Sequence, residues 1–207
     1  MKRDDRLIEV YADIVCPFTH VGLRRLVEAR DAGGSHAPIR VHAWPLEWVN
    51  GAPVAAGLVA AEIEALKAAV APDLFTGFDE ERFPRTTIPA LGLAAAAYRV
   101  GDVAGERASL GLREALFEKG RDLTDPEQLL EIGNELGVEP LSGPAAVAAV
   151  RADWERGRAR NVQGSPHFFV GDRDWFCPSL RIRHEGDAFD VSIDWDALDD
   201  FYATAFA

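Results

Sequence analysis

The sequence predicts an α/β fold in which two halves of a small mixed sheet flank a block of helices. Three observations support this prediction. An apolar run, a helical pattern and a second apolar run open the chain, an order that implies parallel strands joined by a right-handed crossover. Alanine-rich helical patterns fill the middle of the chain. Two apolar runs separated by a turn, then a last helix, close it and imply an antiparallel hairpin.

The first half of the sheet begins with Leu7 to Val15, a short and nearly all apolar run that is typical of a buried strand. A helix is predicted to start at Cys16-Pro17, because proline lacks the N–H that the first helical turn leaves unpaired. Gly33-Gly34 ends this helix. The alternating run Ile39 to Leu46 predicts the second strand.

The middle of the chain predicts a helical insertion. Its strongest local signals surround one helix, for which Asp125 is the predicted N-cap, Pro126 the first residue and Gln128 the second member of a capping box. Gly137 ends that helix. The predicted helices lie near residues 54–70, 87–99, 103–119, 126–136 and 144–160.

The second half of the sheet is predicted to be a hairpin. Its strands are His167 to Val170 and Trp175 to Leu180, joined by the turn Gly171 to Asp174. Pro178 in the second run predicts an edge strand, because proline cannot donate a hydrogen bond within a sheet.

A final helix near residues 195–205, capped by Asp194, completes the predicted element order. The chain is therefore divided into an N-terminal half over residues 1–52, a helical insertion over 53–161 and a C-terminal half over 162–207.

Composition and charge exclude several function classes. The chain has 207 residues, 48% of them hydrophobic, and a formal net charge of −12 at pH 7. Such acidity disfavours binding to nucleic acid or to anionic membranes. The apolar stretches are far shorter than the roughly 20 residues that a membrane helix needs. The charged start Met1 to Arg6 is not followed by a secretory signal pattern, so a cytoplasmic location is expected.

The chain contains two cysteines, Cys16 and Cys177, too few for a disulfide scaffold or a usual zinc site. Both are expected to be thiols in a reducing cytoplasm. His42 and His167 have no third ligand at useful spacing, so no metal site is predicted.

Three stretches of the sequence carry a family resemblance: Tyr11 to Thr19 (YADIVCPFT), Trp44 to Glu47 (WPLE) and Val162 to Val170 (VQGSPHFFV). In order and spacing they resemble the DsbA-like family of the thioredoxin superfamily. The first is similar to that family's strand followed by Asp-x-x-Cys-Pro-x-Cys, and the third to its glycine-x-cis-proline loop. The resemblance implies a thioredoxin fold with a helical insertion subdomain between the β-α-β and β-β-α halves, and thiol–disulfide chemistry.

One position departs from the family pattern, because Thr19 stands where the family has its second cysteine. The active-site motif is therefore Cys-Pro-Phe-Thr, which puts the ordinary dithiol cycle in question. The related 2-hydroxychromene-2-carboxylate isomerases and kappa-class glutathione transferases have serine at the first position, where this chain keeps Cys16.

The predicted nucleophile is Cys16, at the N-terminus of the first helix. Unpaired N–H groups and the helix dipole favour a thiolate there, and His20, one turn further on, would add a positive charge when protonated. The Thr19 hydroxyl is placed to donate a hydrogen bond to the thiolate. The alternatives are a small buried apolar residue for Cys16 and an ordinary helix residue for Thr19.

The resemblance further implies a cis bond before Pro166, with the backbone of Ser165 presented to a substrate. Near the same end of the sheet, Trp44 is a candidate substrate wall. The predicted catalytic residues are Cys16, Thr19 and Pro166, and the predicted substrate-binding residues are Pro17, Phe18, His20, Ser165 and Trp44.

Two further residues have open roles. Asp13 either caps the first helix, which is the favoured interpretation, or orders the loop and relays protons. Cys177 is either a structural or exposed thiol, or a resolving partner if its Cα lies within about 7 Å of that of Cys16.

The leading hypothesis is a thiol–disulfide oxidoreductase or thiol transferase that acts through Cys16. Its substrate would be a small-molecule or protein disulfide, with no bound cofactor and with glutathione as a candidate co-substrate. Two alternatives stay open: a glutathione-dependent isomerase or transferase, and a redox-inactive binding protein with this fold. The sequence leaves the oligomeric state open.

Overall fold

The computed structural model describes residues 6–185 and 188–206. Residues 1–5, on which the expectation about a secretory signal rests, lie outside the described residues. The main sheet has the strand order β2-β1-β3-β4. Its strands are β1 (Ile8–Ala12), β2 (Ile39–Ala43), β3 (His167–Val170) and β4 (Arg173–Phe176). β1 pairs in parallel with β2, and β3 is antiparallel to both β1 and β4, which confirms the predicted mixed sheet.

Helices lie between β1 and β2, between the two halves of this sheet, and after its second half. They are α1 (Pro17–Ala32), α2 (Leu46–Asn50), α3 (Ala56–Ala69), α4 (Ile88–Val100), α5 (Asp102–Phe117), α6 (Pro126–Leu136), α7 (Gly143–Ala159) and α8 (Trp195–Ala205). The predicted helices are confirmed to within a few residues, and only α2 was missed, because a five-residue helix carries too little periodicity to stand out. The exact division of the chain into three parts stays a prediction. Within the described residues, no helix is long and apolar enough to cross a membrane.

The N-terminus of α6 shows how local sequence places a helix boundary. Asp125 caps it by accepting a hydrogen bond from the N–H of Glu127. The predicted capping box is wrong in one detail: the Gln128 Oε1 accepts from the N–H of Asp122, at 3.0 Å, and its amide nitrogen donates to Asp125. Gly137 ends the helix with a φ of +71°, a conformation that glycine adopts without strain.

The chain after β4 differs from the prediction. The second strand of the hairpin ends at Phe176, because Cys177 has a φ of +45°, which breaks the extended backbone. Pro178 therefore lies in a connection and not in an edge strand. A second antiparallel sheet follows, made of β5 (Leu180–Glu185) and β6 (Ala188–Ile193), which sequence analysis did not predict.

The two faces of the main sheet have separate cores. Val10 of β1 packs in a cluster with residues of α1 and α8, including Leu23 and Phe201. The next residue, Tyr11, points to the other face and packs with Trp44 and Phe169 beneath α7. Since successive strand residues alternate between faces, the middle of α1 packs on the first face. The N-terminus of α1 packs into a third, larger cluster with the helices of the insertion.

Candidate active site

The predicted strand-to-helix junction at Cys16 is confirmed. After β1 the chain turns through residues 13–15, and Cys16 is the extended N-cap residue of α1, with Pro17 in the first turn. Cys16 is only 3% exposed and belongs to a buried cluster that includes Val59 and Ile63 of α3. A disulfide can therefore reach the sulfur only when the side chains that cover it move.

Ser165 connects the junction to the opposite side of the site. The Ser165–Pro166 peptide bond is cis. The Cys16 Sγ donates a hydrogen bond to the carbonyl oxygen of Ser165 at 3.1 Å. The Ser165 hydroxyl accepts from the N–H of Asp13 at 2.9 Å and lies 2.9 Å from the hydroxyl of Thr19. The loop therefore faces Cys16, as the family resemblance implies.

Burial determines the protonation of Cys16. Removal of the Cys16 thiol from water raises its pKa above the ordinary value, although hydrogen bonds from the side chains of Thr19 and Ser165 lower this pKa. The negative charge of Glu62 on α3 raises it further. The expectation of a thiol more acidic than usual is therefore wrong, because burial outweighs the helix N-terminus.

His20 does not supply the predicted positive charge. Its ring is 2% exposed and its Nε2 lies 2.8 Å from a carboxylate oxygen of Glu118. Burial lowers the pKa of His20 to about 4, although Glu118 raises it, so the ring is neutral at pH 7. The ring also packs against Phe75 and Phe117, which places it in the core and not on a substrate-binding surface.

Asp13 orders the loop, and the preferred interpretation that it caps α1 is wrong. Its carboxylate accepts from the N–H groups of Ile14 and Leu46, both at 2.6 Å, and so ties the junction to the start of α2. The N-cap residue Cys16 makes no side-chain cap hydrogen bond. Complete burial raises the pKa of Asp13 to about 6, against the effect of these hydrogen bonds.

The other predicted substrate-binding residues are largely buried. Trp44 is 4% exposed and stacks on Trp154 under α7, on the face of the sheet opposite to α1. Its prediction as a substrate wall is wrong, because Trp44 directly follows β2 and packs in a different cluster from Ala43, which lies in the cluster that contains Cys16. Pro17 and Phe18 lie beside Cys16 in the first turn of α1 and are also buried.

Cys177 is bonded to the cis-proline loop and belongs to the same buried cluster as Cys16. Its N–H donates to the carbonyl oxygen of Pro166 at 3.0 Å. Burial raises the pKa of the Cys177 thiol to about 12, and a negative charge on Cys16 adds to the effect. Cys177 therefore holds almost no thiolate at neutral pH.

Sequence analysis missed two charged residues near Cys16. Arg113 of α5 is fully buried. Glu62 of α3 is mostly buried, and burial raises its pKa from 4.5 to about 7. A signal for Glu62 was present in the sequence, because it lies among Val59, Ile63 and Leu66, which form the buried stripe of α3.

We expect Glu62→Gln to stabilise the protein by about 1–3 kcal/mol at about pH 8 and to change its stability little at about pH 4.5. An unfolded chain releases the Glu62 proton near its ordinary pKa of 4.5, whereas the folded protein holds it to about pH 7. Ionisation therefore destabilises the native state as the pH rises through this window, and glutamine removes that cost. Urea unfolding at both pH values measures the difference.

The matched control is Glu64→Gln, which changes an exposed carboxylate on the same helix. A gain for Glu62→Gln that is equal at both pH values would contradict the expected titration.

The remaining histidines of interest have protein partners. His42 lies between Glu9 and Asp153, at 2.9 Å and 3.1 Å, and His167 bonds to Asp174. Within residues 6–185 and 188–206, no three or more His, Cys, Asp and Glu side chains are grouped to hold a metal ion.

Comparison with known proteins identifies the family. The model of the DSBA-like thioredoxin domain matches residues 7–183. The chain belongs to the DsbA-like thioredoxin family. Its fold is the thioredoxin fold with a helical insertion, in a family of thiol–disulfide oxidoreductases. A search of curated proteins returned no significant match.

Solved structures share the DsbA-like fold at low sequence identity. A "probable DsbA oxidoreductase" from Streptomyces coelicolor is 18% identical, with 96% of this chain and 89% of that chain covered and a TM-score of 0.68. The cytosolic disulfide reductase DsbM from Pseudomonas aeruginosa, solved with GSH, is 19% identical, with 82% and 88% covered and a TM-score of 0.60. A 2-hydroxychromene-2-carboxylate isomerase is 17% identical, with 82% and 88% covered and a TM-score of 0.58.

Proposed function

We propose that this DsbA-like protein is a thiol–disulfide oxidoreductase that uses Cys16 as its only attacking thiol and glutathione as the external thiol. One observation carries the proposal: Cys16 begins α1 with its Sγ 3.1 Å from the Ser165 carbonyl, while Thr19 occupies the position of a second thiol. A sulfur nucleophile is thus retained beside the substrate-facing loop, and its usual partner is not.

The reaction proceeds in two exchanges. In the first, the Cys16 thiolate attacks the glutathione sulfur of a mixed disulfide between glutathione and a substrate thiol. A bond from Cys16 to glutathione forms, and the substrate leaves as a thiolate that takes a proton from water. In the second exchange, the thiolate of free glutathione attacks the glutathione sulfur on Cys16. Oxidised glutathione leaves, Cys16 regains its thiolate, and the substrate has been reduced by two electrons.

The residues around Cys16 have distinct roles in this scheme. The side-chain hydroxyls of Thr19 and Ser165 favour the thiolate, as the lowering of the pKa of Cys16 by both side chains indicates. Ser165 presents its backbone beside the attacking sulfur, where an extended substrate backbone can pair with it. The fold shared with DsbM, solved with GSH, supports glutathione as the thiol and the cytoplasm as the location.

A Cys16→Ala variant tests the proposal. We expect it to lose all reduction of a glutathione mixed disulfide, measured by coupling oxidised glutathione to a reductase, because no other thiolate is available to attack. Cys177→Ala is the matched control and should keep the activity. Retained activity in Cys16→Ala would overturn the proposal. A variant that still binds glutathione and catalyses an isomerisation would instead favour the isomerase alternative, which shares this fold.

A further inference from the structure

Arg113 is a buried cation with an incomplete set of partners. It lies on α5 and is 1% exposed. One terminal nitrogen donates to the carbonyl and the hydroxyl of Ser109, at 2.8 Å and 2.7 Å, and the other donates to the carbonyl of Asp13 at 3.0 Å. Its Nε is buried without a hydrogen-bond partner. Among the described residues, Arg113 thus bonds only to neutral oxygen atoms.

A buried guanidinium is costly unless an anion lies near it, because the interior does not replace the water that solvated its charge. The groups whose negative charge acts on Arg113 are Asp13, Cys16 and Tyr98, in that order, and all three raise the pKa that burial lowers to about 10. Asp13 has the larger effect, and hydrogen bonds from the N–H groups of Ile14 and Leu46 hold its carboxylate in place. The Cys16 sulfur, when it is a thiolate, is the second anion on which the positive charge of Arg113 acts.

The position of Arg113 fits this role. Its bond to the Asp13 carbonyl holds the guanidinium against the turn between β1 and α1, three residues before Cys16. The interaction between two charges is mutual, so the thiolate that stabilises the Arg113 cation is itself stabilised by it. Thr19 and Ser165 supply only neutral hydrogen bonds, and His20 is neutral at pH 7.

We propose that Arg113 is a positioning residue that acts through Cys16, supplying the buried positive charge that stabilises the Cys16 thiolate. This inference rests on the proposed function, in which Cys16 is the attacking thiol. The titratable groups that act on Cys16 or Arg113 from the surrounding elements are Asp13, His20, Glu62, Tyr98 and Cys177.

The test measures the pKa of Cys16 in a Cys177→Ser background, so that one thiol titrates. Ultraviolet absorbance of the thiolate and the rate of alkylation by iodoacetamide are followed against pH. We expect Arg113→Met to raise the pKa of Cys16 by about one unit, which is about a tenfold loss of thiolate and of alkylation rate at neutral pH. Arg113→Lys, which keeps the charge, should recover most of the loss.

The matched control is Arg25→Met. Arg25 is partly buried, bonds to one backbone carbonyl, that of Val70, and has a buried nitrogen without a hydrogen-bond partner, but it lies about two and a half turns along α1 from Cys16. The Arg25→Met variant should leave the pKa of Cys16 unchanged. An unshifted pKa in Arg113→Met, or an equal shift in Arg25→Met, would overturn the inference.

A second comparison covers the case in which Arg113→Met does not fold. Asp13→Asn removes the competing negative charge and should lower the pKa of Cys16. The double variant with Arg113→Met loses both buried charges together, which a fold tolerates better than the loss of one. Its Cys16 pKa should lie about one unit above that of Asp13→Asn. Equal values would refute the role of Arg113.

Adduct formation with oxidised glutathione, measured separately on the wild type, tests the proposed function itself.

Discussion

Exposed to oxidised glutathione, the protein will gain one glutathionyl group on Cys16 and keep it until a free thiol is added. Attack by Cys16 forms the mixed disulfide, and Thr19 has no sulfur with which to displace it. We expect Cys177 not to take over this role while it stays covered, because burial raises the pKa of its thiol to about 12 and its N–H remains bonded to the carbonyl of Pro166. Intact mass spectrometry before and after addition of reduced glutathione measures both steps.

Two variants identify the modified sulfur. Cys16→Ser should remain unmodified, and Cys177→Ser should carry the adduct as the wild type does. We expect the wild type to react more slowly than an exposed thiol, because Cys16 is 3% exposed and the side chains that cover it must move first. An internal Cys16–Cys177 disulfide with no retained glutathione would contradict this prediction and make Cys177 the resolving cysteine.

The second large effect is expected from Thr19→Cys, which will convert the retained adduct into an internal disulfide. Thr19 lies in the same first turn of α1 as Cys16, and its side chain is within hydrogen-bonding reach of the thiol. A sulfur at this position attacks within one molecule, where its effective concentration far exceeds that of dissolved glutathione. We expect glutathione to remain on no more than about a tenth of the protein.

Intact mass after treatment with oxidised glutathione again gives the result, since an internal disulfide removes two hydrogens and adds no glutathione. Thr19→Ser keeps a hydroxyl of similar size and should retain the adduct like the wild type. A Thr19→Cys protein that still accumulates the adduct would show that the side chain at position 19 does not reach the Cys16 sulfur.

Local signals were sufficient for much of the fold. The helix start at Cys16-Pro17 and the N-cap Asp125 were predicted because their effects act within one helical turn. The hairpin was mispredicted after Phe176, and the pair β5 and β6 was missed. The first error follows from the positive φ at Cys177, which no propensity of cysteine indicates.

Sequence analysis predicted the nucleophile of the candidate site, Cys16, and the cis-proline loop that faces it. It did not predict the charges of the residues around Cys16. His20 was expected to be a cation, but its environment of Phe75, Phe117 and a single carboxylate keeps it neutral. Trp44 was expected at the site, but it packs with Tyr11 and Phe169 on the opposite face of the sheet. Neither the neutral state of His20 nor the position of Trp44 can be predicted from the residues next to them in the sequence.

By itself, the sequence determined the order of the elements, the family, and the presence of one thiol without a second cysteine in its motif. These follow from periodicity, from proline and glycine, and from the identity of residues along a short stretch. Only the tertiary structure decided the burial of Cys16, the pKa directions of its neighbours, and the approach of Glu62 and Arg113 from α3 and α5. The physical reason is that desolvation and charge interactions depend on distances between elements far apart in the chain, which local patterns do not specify.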